Sequence, residues 1–323
     1  RWGEVRAAVR RAALLAQVGD PAVAEQALRA AADHAGRAGM TAHQRGTLFN
    51  LCVLHAAQSR PADVLAVAQA CWAIPPPLPR EALRTQLELA FVEAHGALGQ
   101  LGDAWHWLQL ALDDALAIGQ IAGLAGAVLA GLELLALLGE TARAGPLLAA
   151  LDGAAEAAHF VGEMSLVRAE CALLDGDTEG AECAMAALPG PSETPRVQVR
   201  EAIVRAALRL AQGRPAQALA ALPADDAPGH NDELRWRALA VRLDAERMGP
   251  GVSDETLGRA RVALPREGVH AIALWLLHRA LARADATEAP GLAARTAALA
   301  ASLASHPAQR AAFEARWGGH LPV

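Results

Sequence analysis

Residues Leu98 to Ala111, LGQLGDAWHWLQLA, decide the reading of this chain. A short polar step at Gly99-Gln100 breaks an apolar pattern. Ala104, Leu108 and Ala111 then follow at i, i+4 and i+7, one face of a helix. The same arrangement recurs along the sequence. Turn signals stand at Gly19-Asp20, Ser59-Arg60, Gly99-Gln100, Gly139-Glu140, Gly176-Asp177 and Gly213-Arg214, in steps of 40, 40, 40, 37 and 37 residues. Five and nine residues past each turn come Ala24 and Leu28, Val64 and Ala68, Ala104 and Leu108, Ala144 and Leu148, Ala181 and Met185, and Ala218 and Leu222. In the first five units a third small or apolar residue follows: Ala31, Cys71, Ala111, Leu151 and Leu188. A small first residue lets two helices approach closely.

Before each turn lies a second apolar-periodic segment, so each unit reads as helix, tight turn, helix. Pro and Gly punctuate the joints between units, as at Pro75 to Pro79, Gly190-Pro191 and Gly249-Pro250-Gly251. A short helix pair cannot bury its apolar face alone, so the units must stack. The expected fold class is therefore all-α: a right-handed superhelical solenoid of about eight helix pairs, with a C-terminal capping helix. The pairs run over 4–38, 41–73, 80–119, 120–158, 159–189, 194–222, 231–264 and 268–304, with the cap over 306–317. The whole chain, 1–323, reads as a single array.

Composition agrees. Of 323 residues 53% are hydrophobic and 3% aromatic, roughly a quarter are Ala, and there is no Tyr. Ala and Leu favour helix, whereas a sandwich or barrel needs more β-branched and aromatic residues. All 29 basic residues are Arg, and the net charge of -6 argues against a sequence-independent grip on nucleic acid. Four scattered Cys fit a reducing compartment rather than a disulfide framework. The chain starts inside a helical pattern without a signal peptide, so it is expected to be a piece of a longer, cytoplasmic protein. The uncharged run from Ala115 to Leu132 carries glycines spaced as in membrane helices. Close flanking charges, no aromatic belt and a turn near Gly119-Gln120 favour two buried helices over a membrane span.

The array resembles the tetratricopeptide family. The small, large, small signature of that family's second helix is matched by Ala104, Leu108 and Ala111, and by Ala24, Leu28 and Ala31. The segment Leu98 to Ala104 is similar to its turn. The first helices lack the family's Trp and Tyr, and the period exceeds its 34 residues. Longer repeats of this kind resemble the helical sensor regions of large bacterial transcriptional regulators and signalling ATPases. The closing run Leu299 to Trp317 is similar to the tail of such regions.

In such an array the first helix of each pair lines a concave face. Six residues before three successive turns stand Glu93, Glu133 and Glu170, a ladder of carboxylates suited to a cationic or amine-bearing ligand. They read otherwise as solvated residues or as partners of neighbouring Arg. The next units change sign: Arg196, Arg200, Arg205 and Arg209, then Arg235, Arg237 and Arg242. The candidate site is Glu93, Glu133, Glu170 and Arg200, with Trp105 as an edge contact. His55 and His95 share one repeat position and read as packing residues; Cys52 with His55 falls short of a zinc ligand set.

No phosphate loop, nucleophile elbow, zinc-protease or dinucleotide motif is present, and a phosphate loop needs a Lys this chain lacks. The expectation is a non-catalytic module without cofactor or metal. It would bind a peptide, protein segment or small effector in its groove, as the sensor or scaffold part of a bacterial regulator with an attached ATPase or DNA-binding domain. No direct nucleic acid and no membrane partner is expected; a second copy of the chain is admitted. The alternative is a structural assembly adaptor that oligomerises without a small effector.

Overall fold

The computed structural model describes residues 7, 20–119, 125, 129, 131, 134–138, 161–190, 194–229, 231–265 and 270–318. Among these the fold is all helical, with fourteen α-helices, one 3-10 turn and no strand. The helices are α1 (Pro21–Arg37), α2 (Thr41–Ala57), α3 (Pro61–Trp72), α4 (Ala82–Ala97) and α5 (Leu101–Ile118). Next come α6 (Val161–Asp175), α7 (Thr178–Ala186), α8 (Pro195–Ala211), α9 (Pro215–Ala221) and α10 (Asp232–Met248). The last are α11 (Asp254–Ala263), α12 (Ala271–Ala284), the 3-10 turn Ala286–Glu288, α13 (Ala289–Ala301) and α14 (Pro307–Trp317).

Local chemistry sets the helix ends. Proline opens α1, α3, α8, α9 and α14, where its missing N–H costs nothing. Side chains of Asp20, Asp177, Asn231 and Ser253 accept first-turn N–H groups. The turns after α2, α4, α6 and α8 are one motif repeated. Their central residues Ser59, Gly99, Gly176 and Gly213 have φ of 57°, 76°, 77° and 72°. The next N–H reaches back to the carbonyl five residues earlier: Arg60 to His55 at 3.0 Å, Gln100 to His95 at 2.9 Å, Asp177 to Ala172 at 2.8 Å and Arg214 to Arg209 at 2.9 Å. This is the Schellman closure, which satisfies orphan carbonyls and favours Gly at the left-handed position. Ser59 adopts that conformation without being Gly.

The helix after each of these turns, and α1 as well, buries the first of its patterned positions, whereas Leu188 and Leu222 further on are only half-buried. Ala24, Leu28, Ala68, Cys71, Leu108, Ala111, Ala181 and Ala218 are each 0% exposed. Helices α1 to α5 pack each on the next, as do α6 to α14, and α8 also touches α6 and α10. Gly119, with φ of 67°, ends α5 inside the apolar run that begins at Ala115. Among the described residues no helix is long and apolar enough to cross a membrane.

The chain also folds back on itself. Helix α12 packs against α4. The Leu101 N–H donates to Ser302 Oγ at 3.0 Å. Trp317 Nε1 donates to the Leu137 carbonyl at 2.7 Å, and Arg316 donates to the Leu174 carbonyl at 2.8 Å. One hydrophobic core therefore joins Leu101, Ala104, Trp105 and Leu108 to Trp275, Leu299, Leu303 and Phe313. The final helix, expected as a C-terminal cap, packs on α13 and also bridges back to the middle of the chain. The Arg279 guanidinium lies over Trp317 at 4.6 Å and Trp275 at 5.8 Å, tying α12 to α14.

Candidate functional site

This closure shapes an open groove of about 530 Å³, walled by α4, α6, α8, α10 and α12 with the turn after α2 at one rim. Its size falls within the range of small-molecule and short-peptide pockets. Much of the lining is apolar, from Leu89, Val92, Leu166, Val197, Leu234 and Ile272. The charged groups stand on opposing walls.

On the α4 wall is Glu93. Its side chain is exposed to the groove's solvent, and the protein crowded around it pushes its carboxyl above the usual range. Arg196 pulls the value down through space, and Glu233 pushes it up. Among the described residues Glu93 makes no hydrogen bond or ion pair. The opposite wall is dense with pairs. Arg200 grips Glu170 through two parallel hydrogen bonds, one of them Nε to Oε1 at 2.9 Å. Glu233 receives Arg237 Nε at 3.2 Å and Arg196 Nη2 at 3.4 Å, with His270 Nδ1 at 3.8 Å. Enclosure works to raise both carboxyls, but the arginines outweigh it and hold Glu170 and Glu233 below the usual range. Burial holds His270 below its ordinary value, with Glu233 opposing and Arg196 and Arg237 adding to the drop, so its ring is neutral at pH 7. His270 precedes α12 with φ of 42°, and the return of α12 to α4 brings it into this wall.

The sequence-derived site divides. Glu93 lines the groove as counted. Glu170 is not among the groove's lining residues and is engaged by Arg200, which is, the pairing that the alternative reading of the ladder allowed. Glu133 lies outside the described residues. Trp105 is 5% exposed and belongs to the core of α5 with Leu101 and Leu108, so it is no edge contact. Trp107, two residues on and turned to another face, is half-buried instead; it stacks on Phe91 at 4.2 Å and meets Trp72 edge-on at 5.1 Å. His55 is 0% exposed and His95 8% exposed, with His95 Nδ1 2.6 Å from Gln100 Oε1. Cys52 is buried, its thiol donating to the Val64 carbonyl at 3.8 Å and pushed up to about 12 by burial, which keeps it protonated.

Sequence reading missed Glu233 and His270. Glu233 sits in the first turn of α10, off the repeat position that marked Glu93. His270 belongs to no helix and reaches the groove through a contact between distant parts of the chain. Arg196 and Arg237 were legible as a basic patch but not as the wall facing Glu93.

No protein-family profile, no curated protein and no solved structure matches the chain.

Proposed function

We propose that this chain is a non-catalytic binding module, built as a right-handed superhelical array of tetratricopeptide-like pairs, that takes a peptide, protein segment or small effector in the groove. The observation that carries this reading is Glu93. It is a carboxylate exposed in a partly apolar groove, with no partner among the described residues, and Arg196, Arg200 and Arg237 line the same groove. A charged group that the protein leaves unengaged inside a concave, partly apolar site is available to orient a ligand. The wider reading is the sensor or scaffold part of a bacterial cytoplasmic regulator that passes occupancy to an attached ATPase or DNA-binding domain. It draws support from the repeated Schellman turns and the small, large, small helix faces, which match the resemblance seen in the sequence. The alternative is an assembly adaptor.

The experiment is a thermal-shift screen of amino acids, short peptides, amines and carboxylates against the wild-type chain and Ala97→Trp, which fills the groove. Ala97 is only half-buried and lines the cavity, so the indole has room to enter it. Compounds that raise the melting temperature of the wild type but not of Ala97→Trp support the reading. Equal shifts in both proteins, or none in either, refute it. In that case a dimer or larger species in light scattering points to the adaptor.

A further inference from the structure

Beyond its charge count, the groove has a direction. Resting on the reading of this groove as the binding site, we infer that its ligand is a compact zwitterion of the amino-acid and short-peptide class, with its ammonium at Glu93, its carboxylate at Arg196 and an apolar side chain between them.

Three observations carry this. First, Glu93 on α4 and Arg196 on α8 line the same groove from different helices and form no ion pair with each other. Two opposite charges on different walls of one groove are complementary to a molecule that carries both signs. Second, Arg196 is the loosely held arginine of its wall. Its side chain is 55% exposed and its contact with Glu233 is long, at 3.4 Å. Arg237, by contrast, is 14% exposed, and Arg200 is locked on Glu170. Arg196 can therefore turn to an incoming carboxylate while Arg237 keeps Glu233 compensated. Third, much of the remaining lining of the groove is apolar, including Leu89, Val92, Val197, Leu234 and Ile272. A ligand with charged ends and a hydrocarbon side chain buries that surface, as a fully polar ion would not.

The same field works against the alternatives. A plain anion meets Glu93 and Glu163, and a plain cation meets Arg196, so each finds a like charge in the same groove. A volume near 530 Å³ admits an amino acid or a peptide of a few residues rather than a long basic arm. This narrows the cationic or amine-bearing ligand that the carboxylate ladder suggested, because Glu170 is already engaged by Arg200.

The test uses isothermal titration calorimetry on the intact chain with four probes: leucine, leucyl-leucine, its N-acetyl form and its C-terminal amide. The expected result is binding of leucine or leucyl-leucine, with acetylation and amidation each weakening the dipeptide roughly ten- to hundred-fold, the loss of one charge-assisted hydrogen bond. Glu93→Gln should then weaken the unblocked dipeptide to the same degree and make acetylation cost nothing further. Arg196→Gln should do the same for amidation. Blocked forms that bind the wild type as well as the unblocked dipeptide overturn the inference, and so does the absence of zwitterion binding at millimolar concentration. Neither result depends on a variant that folds. If other compounds shift the wild type but not Ala97→Trp while the zwitterions fail, the ligand class falls and the groove reading stands.

Discussion

On a helix with an open flank, Gly102→Ala would raise stability, because Ala is the better helix former by about 1 kcal/mol. The closure of the chain reverses that sign. Gly102 lies in the first turn of α5, and a Cβ added there comes within 2.4 Å of the Ser302 carbonyl oxygen and 3.3 Å of the His306 ring. Carbon-to-oxygen contacts settle at about 3.3–3.6 Å, so the end of α13 must retreat by about 1 Å. That movement stretches the Leu101 to Ser302 hydrogen bond, now 3.0 Å. It also loosens Leu303 and Phe313, both 0% exposed. The lost hydrogen bond is worth about 0.5–1.5 kcal/mol and overpacking about 1–3 kcal/mol, so after the helix gain the variant should be less stable by about 1–3 kcal/mol. Gly46 in α2 and Gly258 in α11 are the controls, since a Cβ on either meets nothing within 4 Å. Gly46→Ala and Gly258→Ala should each stabilise by up to about 1 kcal/mol. Urea unfolding followed by far-ultraviolet circular dichroism, at unchanged slope, reads all three. If Gly102→Ala stabilises the protein as much as the two controls, α5 and α13 do not meet in solution and the closure is refuted.

Glu88 is 0% exposed, beside Asp114 and below Arg80 and Arg84, and burial pushes its carboxyl up from 4.5 to about 7, with Arg84 opposing and Asp114 adding to the rise. The folded protein therefore keeps a proton that the unfolded chain has lost, and stability should fall as pH rises from 4.5 to 7 and level off above that. Glu88→Gln removes this dependence. It should match the wild type near pH 4 and exceed it at pH 8 by on the order of 1–3 kcal/mol, the full shift being discounted because the exposed Arg80 brings water close. Urea melts at the two pH values that differ equally for both proteins would sink this account. Ala104, 1% exposed, marks the close approach of α4 and α5. Ala104→Leu should cost about 1–3 kcal/mol by overpacking, and a change of only a few tenths in a thermal melt would show that the repeat frame is misplaced.

Legibility in the sequence followed the range of the interaction. Gly99, Gly176 and Gly213 could be read as turns because a left-handed residue after a helix is a requirement of a few adjacent peptides. Ser59 could be read only from its place in the period, since its side chain does not announce that conformation. Glu93 was found by counting six residues back from such a turn, which fixes its helix face. The same counting gave Glu170 but not its engagement, because Arg200 stands on another helix, 30 residues on. Trp105 and Trp107 could be assigned to different faces. Which face met the core depended on the neighbour that covered it.

The sequence by itself determined the helical class, the turn geometry and the small, large, small faces, all of which arise from contacts within a helix or between consecutive helices. Only the tertiary structure decided that α12 returns to α4 and that α14 reaches Leu137 and Leu174. It thereby decided that His270 and Glu233 would complete a wall opposite Glu93. The physical reason is accumulation. Each helix adds a small rotation set by the sizes of packed side chains, and whether distant helices meet depends on the sum of many such rotations, a quantity no single stretch of residues encodes.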